Sequence, residues 1–228
     1  MEVLLSVLER YPSLRYILPF AVFMLWLAVG PALPVSPRVE AIIRTAVLLG
    51  VILLVARPVL SFRMERPIAT VLVGIGVFVL WILPDQLMPG YRESVLFQNG
   101  ITGRVESSMA IEARTDLLVI LLRFLRAALI VPIVEELFWR GWLPRWIDAS
   151  DDFRRRPLGA FTTFSFVATV ILFGMEHGPF WDVGMAAGIV YNWWMLKTRS
   201  LGDLIWCHAV TNACLSGWVL LAGQWQYW

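Results

Sequence analysis

Long apolar runs separated by short polar joints set the architecture of this 228-residue chain. The runs extend from Tyr16 to about Leu33, Glu40 to Ala56, Pro67 to about Leu83, Leu117 to Ile147, Leu158 to Glu176, Trp181 to Leu196 and Leu201 to Ala222. Several approach the ~20 residues that a helix needs to cross a bilayer. None alternates polar and apolar residues over about ten positions, as a transmembrane strand would. The pattern predicts an all-α fold, a polytopic membrane helical bundle of about seven transmembrane helices. Residues 1–13 carry Glu2, Glu9 and Arg10 and read as interfacial. The Gly30-Pro31-Ala32 ending is loosely like a signal-peptide exit, but the run is long for that role and more spans follow, so it reads as an uncleaved first helix.

The joints divide the chain further. Residues 84–115 collect Pro84, Pro89, Gly90, Gly100, Gly103 and many charges, which predicts an extramembrane loop with room for a short surface helix. The run from Leu117 exceeds one span, and Arg123 and Arg126 interrupt its first third. That third is expected near the interface, with the embedded part at about Ala127 to Trp146. Residues 148–157 form a charged loop, and the aromatic tail from Gly223 to Trp228 suits a membrane interface. Two parts result: 1–115, N-terminal transmembrane helices and the loop, and 116–228, which carries the candidate chemistry.

Composition agrees. Hydrophobic residues make up 59% and charged residues 16% of the chain, against about 25% charged in soluble domains; the mean hydropathy is +0.71. A net charge of +2 with a single lysine, Lys197, gives no footing for nucleic acid. In a seven-span arrangement eleven basic residues, including Arg154-Arg155-Arg156, fall on one side. That bias puts the N-terminus in the cytoplasm and the C-terminus outside. Cys207 and Cys214 are about 10 Å apart along a helix axis, too far for a disulfide, and read as packing residues.

Three groups of polar residues interrupt the apolar segments, where ionisable side chains point to a functional site. The first is Glu135-Glu136 with Arg140. Glu136 and Arg140 are spaced i, i+4 and can pair, while Glu135 projects about 100° away. An unpaired buried carboxylate suits a general base. Pro132 just upstream is expected to kink the helix. The second group, Phe173 to His177, ends a span before Gly178-Pro179, with Phe173 and His177 on one face; Glu176 is either an interfacial charge or a further member. The third is His208 with Asn212, again i, i+4. Each also has a plain structural reading: an interhelical ion pair, a helix-end histidine, and polar glue worth about 1 kcal/mol per bond.

Together these residues offer a carboxylate base, two imidazoles and a carboxamide, enough to deprotonate water and stabilise an oxyanion. By donor type His177, His208 and Glu135 could also hold zinc. There is no HExxH spacing, no cysteine-rich ligand set, no Gly-x-Ser-x-Gly elbow and no pair of intramembrane aspartates.

Glu-Glu-x-x-x-Arg (135–140), Phe-x-x-x-His (173–177) and His-x-x-x-Asn (208–212) resemble the three signature motifs of the CPBP family, the CAAX-processing and bacteriocin-processing intramembrane proteases, also called the abortive-infection family. Val134 to Gly141, Phe164-Ser165-Phe166, Glu176-His177-Gly178, Tyr191-Asn192-Trp193 and Gly223-Gln224-Trp225-Gln226 are similar to the CAAX-protease-related proteins of exosortase/PEP-CTERM sorting systems. The resemblance implies that 116–228 is a CPBP-type catalytic core. It implies Glu135 and His177 as the water-activating pair, His208 and Asn212 as the oxyanion pair, and Glu136 and Arg140 as supporting residues.

The expected function is therefore an intramembrane endopeptidase of the multi-pass type in the cell membrane, a bacterial inner membrane. Its expected substrate is a membrane-associated protein or peptide, with a C-terminal sorting signal as one possibility. No cofactor is expected, with zinc left open by the donor set. The rival is a non-proteolytic immunity or scaffold protein using the same buried polar network; a small transporter is a third option. Full-length spans would set Glu135 near mid-bilayer, His177 toward the outer face and His208 toward the inner one. A single site therefore requires the fifth helix to end within the membrane, or the fourth to be displaced along its axis.

Overall fold

The computed structural model describes residues 2–228. Its helices are α1 (Glu2–Arg10), α2 (Leu14–Ala32), α3 (Pro37–Val59), α4 (Pro67–Leu87), α5 (Leu117–Asp148), α6 (Thr163–Glu176), α7 (Trp181–Thr198) and α8 (Leu201–Ala222), and no β-strand occurs among the described residues. Five of them, α2, α3, α4, α5 and α8, are long and apolar enough to cross a membrane. The expected count of seven is not reached on those grounds. α6 has only 14 residues, and the 18 residues of α7 include Asp182, Asn192 and Lys197. Leucines such as Leu25, Leu53, Leu72, Leu121 and Leu221 stand exposed on the long helices, the outward surface that lipid would cover.

Polar caps fix where the helices begin. Ser36 and Asp116 accept backbone N–H groups at the starts of α3 and α5, satisfying donors the helix itself leaves unpaired. Asp203 in the first turn of α8 reaches across to the start of α4. Its carboxylate accepts from Glu65 N at 2.7 Å, Arg66 N at 3.1 Å and Thr70 Oγ1 at 2.5 Å. Asp148, closing α5, accepts from Thr162 Oγ1 at 2.7 Å and Ser165 Oγ at 3.1 Å, so the end of α5 is tied to the capped start of α6. The expected fifth span began at Leu158. Instead 158–162 form the joint, and the shorter helix follows.

α5 is not a uniform helix. It widens into π-helical turns at Arg126–Ile130 and Leu137–Trp142. Pro132 lacks an N–H, and its ring presses on the carbonyl one turn back; the first wide turn takes up that strain. The kink expected there is thus a bulge, of the kind that recurs at functional sites. α5 crosses α2, α3 and α8, α6 runs along α7, and α8 runs along α4. Leu137, Phe173, Tyr191, Met195, Leu204 and Cys207 form the central apolar cluster, and both cysteines are free. The 88–115 segment contains single helical turns rather than a surface helix. Arg92 pins it, with Asp85 at 2.9 Å, Asp182 at 2.8 Å and Pro179 O at 2.7 Å.

The α4–α8 contact depends on Gly74. A Cβ there would stand 2.5 Å from Cys207 O and 2.9 Å from Val210 Cβ, whereas one on Gly76 would meet nothing within 4 Å. Gly74→Ala should destabilise the folded protein by about 1–3 kcal/mol through overpacking. Gly76→Ala should be neutral or gain up to about 1 kcal/mol from helix propensity. Thermal unfolding in detergent checks this; equal midpoints for the two variants would contradict the close crossing.

Candidate active site

Glu136 is fully buried and is the centre of a charged network. Its Oε1 accepts from Arg140 Nη1 at 3.2 Å and lies 2.8 Å from His208 Nδ1. The first contact is the expected i, i+4 pair within α5; the second bridges α5 to α8. Arg140 also donates from Nε to Asn192 Oδ1 on α7 at 3.0 Å. Its guanidinium lies over the faces of Phe173 and Tyr191, 4.3 and 5.2 Å from their centroids. Asn192 in turn donates to Phe166 O on α6. One glutamate and one arginine thus tie four helices together. Removing charges from water is costly unless each is paired and hydrogen-bonded; this network supplies partners to Glu136 Oε1 and to Nε and Nη1 of Arg140, while Glu136 Oε2 and Arg140 Nη2 have none among the described residues.

Glu135 points away from this network, as the helical offset predicts. It is 5% exposed, and its Oε2 has no hydrogen-bond partner among the described residues. It lines a cavity of about 310 Å³ together with His177, His208 and Asn212. The four catalytic candidates therefore open onto one space. The end of α6 brings His177 to that space, packed against Trp81 of α4. His177 closes the helix, Gly178 takes a left-handed conformation at φ +55, and Pro179 cannot continue the helix. At 14 residues α6 is shorter than a full span, as a single site shared by His177 and Glu135 requires.

The imidazoles are held in defined orientations. His177 Nδ1 is 2.7 Å from Phe173 O; a carbonyl only accepts, so Nδ1 carries the proton and a neutral ring presents Nε2 as an acceptor. Trp81 meets this ring edge-on with centroids 5.0 Å apart. His208 directs Nδ1 at Glu136 and stacks on Tyr191 at 5.0 Å, leaving Nε2 as its remaining ring nitrogen. Asn212 donates one Nδ2 hydrogen to Ala127 O at 2.9 Å, at the first wide turn of α5, and retains a second.

Sequence spacing did not single out several residues that complete the site. Trp81 comes from α4, outside the motif-bearing segments. Tyr191 and Asn192 stood in the resemblance but carried no assigned role; burying an asparagine in an apolar helix was the available signal. Glu176, left undecided by sequence, accepts from Trp139 Nε1 at 2.9 Å. It is close enough to Glu135 and Glu136 for mutual repulsion, with Arg140 as the offsetting cation. Among the described residues no group of three or more His, Cys, Asp or Glu side chains is placed to hold a metal ion.

Residues 117–214 match the family model described as type II CAAX prenyl endopeptidase Rce1-like. The matched segment contains all three motifs and amounts to less than half of the chain. It supports a CAAX-type intramembrane protease, hence a hydrolase with a protein substrate in a membrane setting. Comparisons with curated proteins and with solved structures gave no match.

Arg140→Met should cost about 3–5 kcal/mol, the usual effect of stranding a buried carboxylate. The same change combined with Glu136→Gln should cost less than the sum of the two single changes, because the partners act as a unit. Chemical or thermal unfolding of the four proteins in one detergent measures this; strict additivity would contradict the network.

Proposed function

We propose that the protein is an intramembrane endopeptidase that hydrolyses a peptide bond of a membrane-associated protein with a glutamate-activated water. The observation that carries this reading is the single cavity shared by Glu135, His177, His208 and Asn212. In the proposed reaction, the Glu135 carboxylate accepts a proton from water, which His177 Nε2 orients as a hydrogen-bond acceptor. The resulting hydroxide adds to the scissile carbonyl carbon, and the carbonyl oxygen becomes an oxyanion. The free Nδ2 hydrogen of Asn212 and a protonated Nε2 of His208 donate to that oxyanion. Collapse of the intermediate breaks the C–N bond as Glu135 returns its proton to the leaving nitrogen. Arg140 holds Glu136 in register and touches no reacting atom.

The reading extends to substrate class. The similarity to proteins of exosortase/PEP-CTERM systems favours substrates that end in a membrane-anchored sorting signal, processed near the membrane boundary of a bacterial inner membrane. No metal is assigned a step. Candidate secreted proteins from the same cells, compared by mass spectrometry with and without the protein, would reveal new termini.

Glu135→Gln should abolish those termini while the protein stays folded and membrane-embedded. Asn212→Ala should slow their formation by roughly 100-fold, the effect of losing one oxyanion donor. Full processing by Glu135→Gln would remove the glutamate mechanism. Loss of activity with chelator and its recovery with zinc would replace that mechanism with a metal-assisted one.

A further inference from the structure

The cavity that holds Glu135 is also lined by three arginines: Arg44 of α3, and Arg123 and Arg126 of α5. An acidic group and a basic one therefore face one space. The arginines also line an adjoining cavity of about 330 Å³ with Leu27, Glu40 and Met109, so they stand where the two spaces meet.

Their protein partners do not balance their charge. Arg126 is 6% exposed and donates only to neutral oxygens, Ala41 O at 3.3 Å and Thr45 Oγ1 at 3.4 Å. Arg123 donates to Ser108 Oγ at 2.8 Å and lies over the Trp228 ring. Arg44 has Glu40 at 3.8 Å, but that same oxygen already accepts from Trp26 Nε1 at 2.7 Å. Arg44 Nε is buried without a partner. Three guanidiniums thus share one distant carboxylate. Guanidiniums keep their charge at any working pH and match a carboxylate with paired donors, and clustered buried charge is costly until an anion offsets it.

We propose that Arg44, Arg123 and Arg126 form a subsite for a carboxylate of the substrate peptide, either a chain end or an acidic side chain, which sets the peptide so that its scissile bond meets Glu135. The assignment rests on the protease reading above. A peptide is favoured over a phospholipid headgroup because the arginines open onto the space that Glu135 lines.

The test uses the full chain in an uncharged detergent, carrying Glu135→Gln so that no probe is consumed. The probes are dodecanoyl-tetraalanine with a free C-terminal carboxylate and the same molecule as its carboxamide. The carboxylate should bind at least tenfold more tightly at low ionic strength. Arg123→Gln and Arg126→Gln should each erase most of that preference, and Arg123→Lys should keep part of it. Equal affinity for acid and amide overturns the subsite, and that comparison requires no arginine variant to fold. A second arm compares nanodiscs of phosphatidylglycerol with nanodiscs of phosphatidylcholine. Arginine-dependent stabilisation by the anionic lipid, without any acid-over-amide preference, would assign the cluster to lipid phosphate and also overturn the proposal. Failure here is separable from failure of the protease reading. Substrate processing by the unsubstituted protein without a carboxylate preference removes only the subsite. A carboxylate preference without processing leaves a carboxylate-binding site but removes the protease, and with it the positioning role proposed for that site.

Discussion

The structure turns on one buried carboxylate. Glu136 accepts from an arginine on its own helix and from a histidine on α8, and that arginine reaches an asparagine on α7. Apolar contact alone discriminates poorly among helix registers in lipid, because lipid tails are as apolar as leucine side chains. A charged network does discriminate, since a slip of one turn would leave several buried groups without partners. The helices that carry Glu135, His177, His208 and Asn212 are all held by it or by its neighbours. The positions of the candidate catalytic groups are thus a consequence of pairing Glu136.

The same arrangement separates two roles that adjacent residues could otherwise confuse. Glu136 is engaged through Oε1 by Arg140 and His208, while Glu135 faces the cavity. His177 is fixed through one nitrogen to a backbone carbonyl, and His208 through one nitrogen to Glu136. Each ring therefore has its other nitrogen left for the cavity. At its basic side the cavity carries arginines that lack sufficient counter-charge. A peptide crossing this space would meet cations and a carboxylate in a fixed order, which gives the site a direction.

Much of this was legible in the sequence. Apolar run lengths located α2, α3, α4, α5 and α8 to within a few residues, because a span must hide its backbone regardless of its neighbours. Spacing of four paired Glu136 with Arg140 and separated Glu135 from both, since helical geometry is local. Three features were not legible. The length of α6 depends on a cap shared with Asp148, a tertiary contact. The first widened turn of α5 answers Pro132 in a way that spacing does not reveal. Arg123 and Arg126 were expected at the interface from their charge, yet they turn inward beside Arg44. Only the packing of α3 against α5 shows where they face.

In the proposed reaction the four motif residues act as one hydrolytic site in one cavity. A crystal structure of the protein with dodecanoyl-tetraalanine aldehyde, which hydrates to a mimic of the tetrahedral intermediate, tests this most directly. One hydrate oxygen should lie against Glu135 and His177 and the other against His208 and Asn212. An aldehyde carbon seated elsewhere, with Glu135 out of contact, would contradict it.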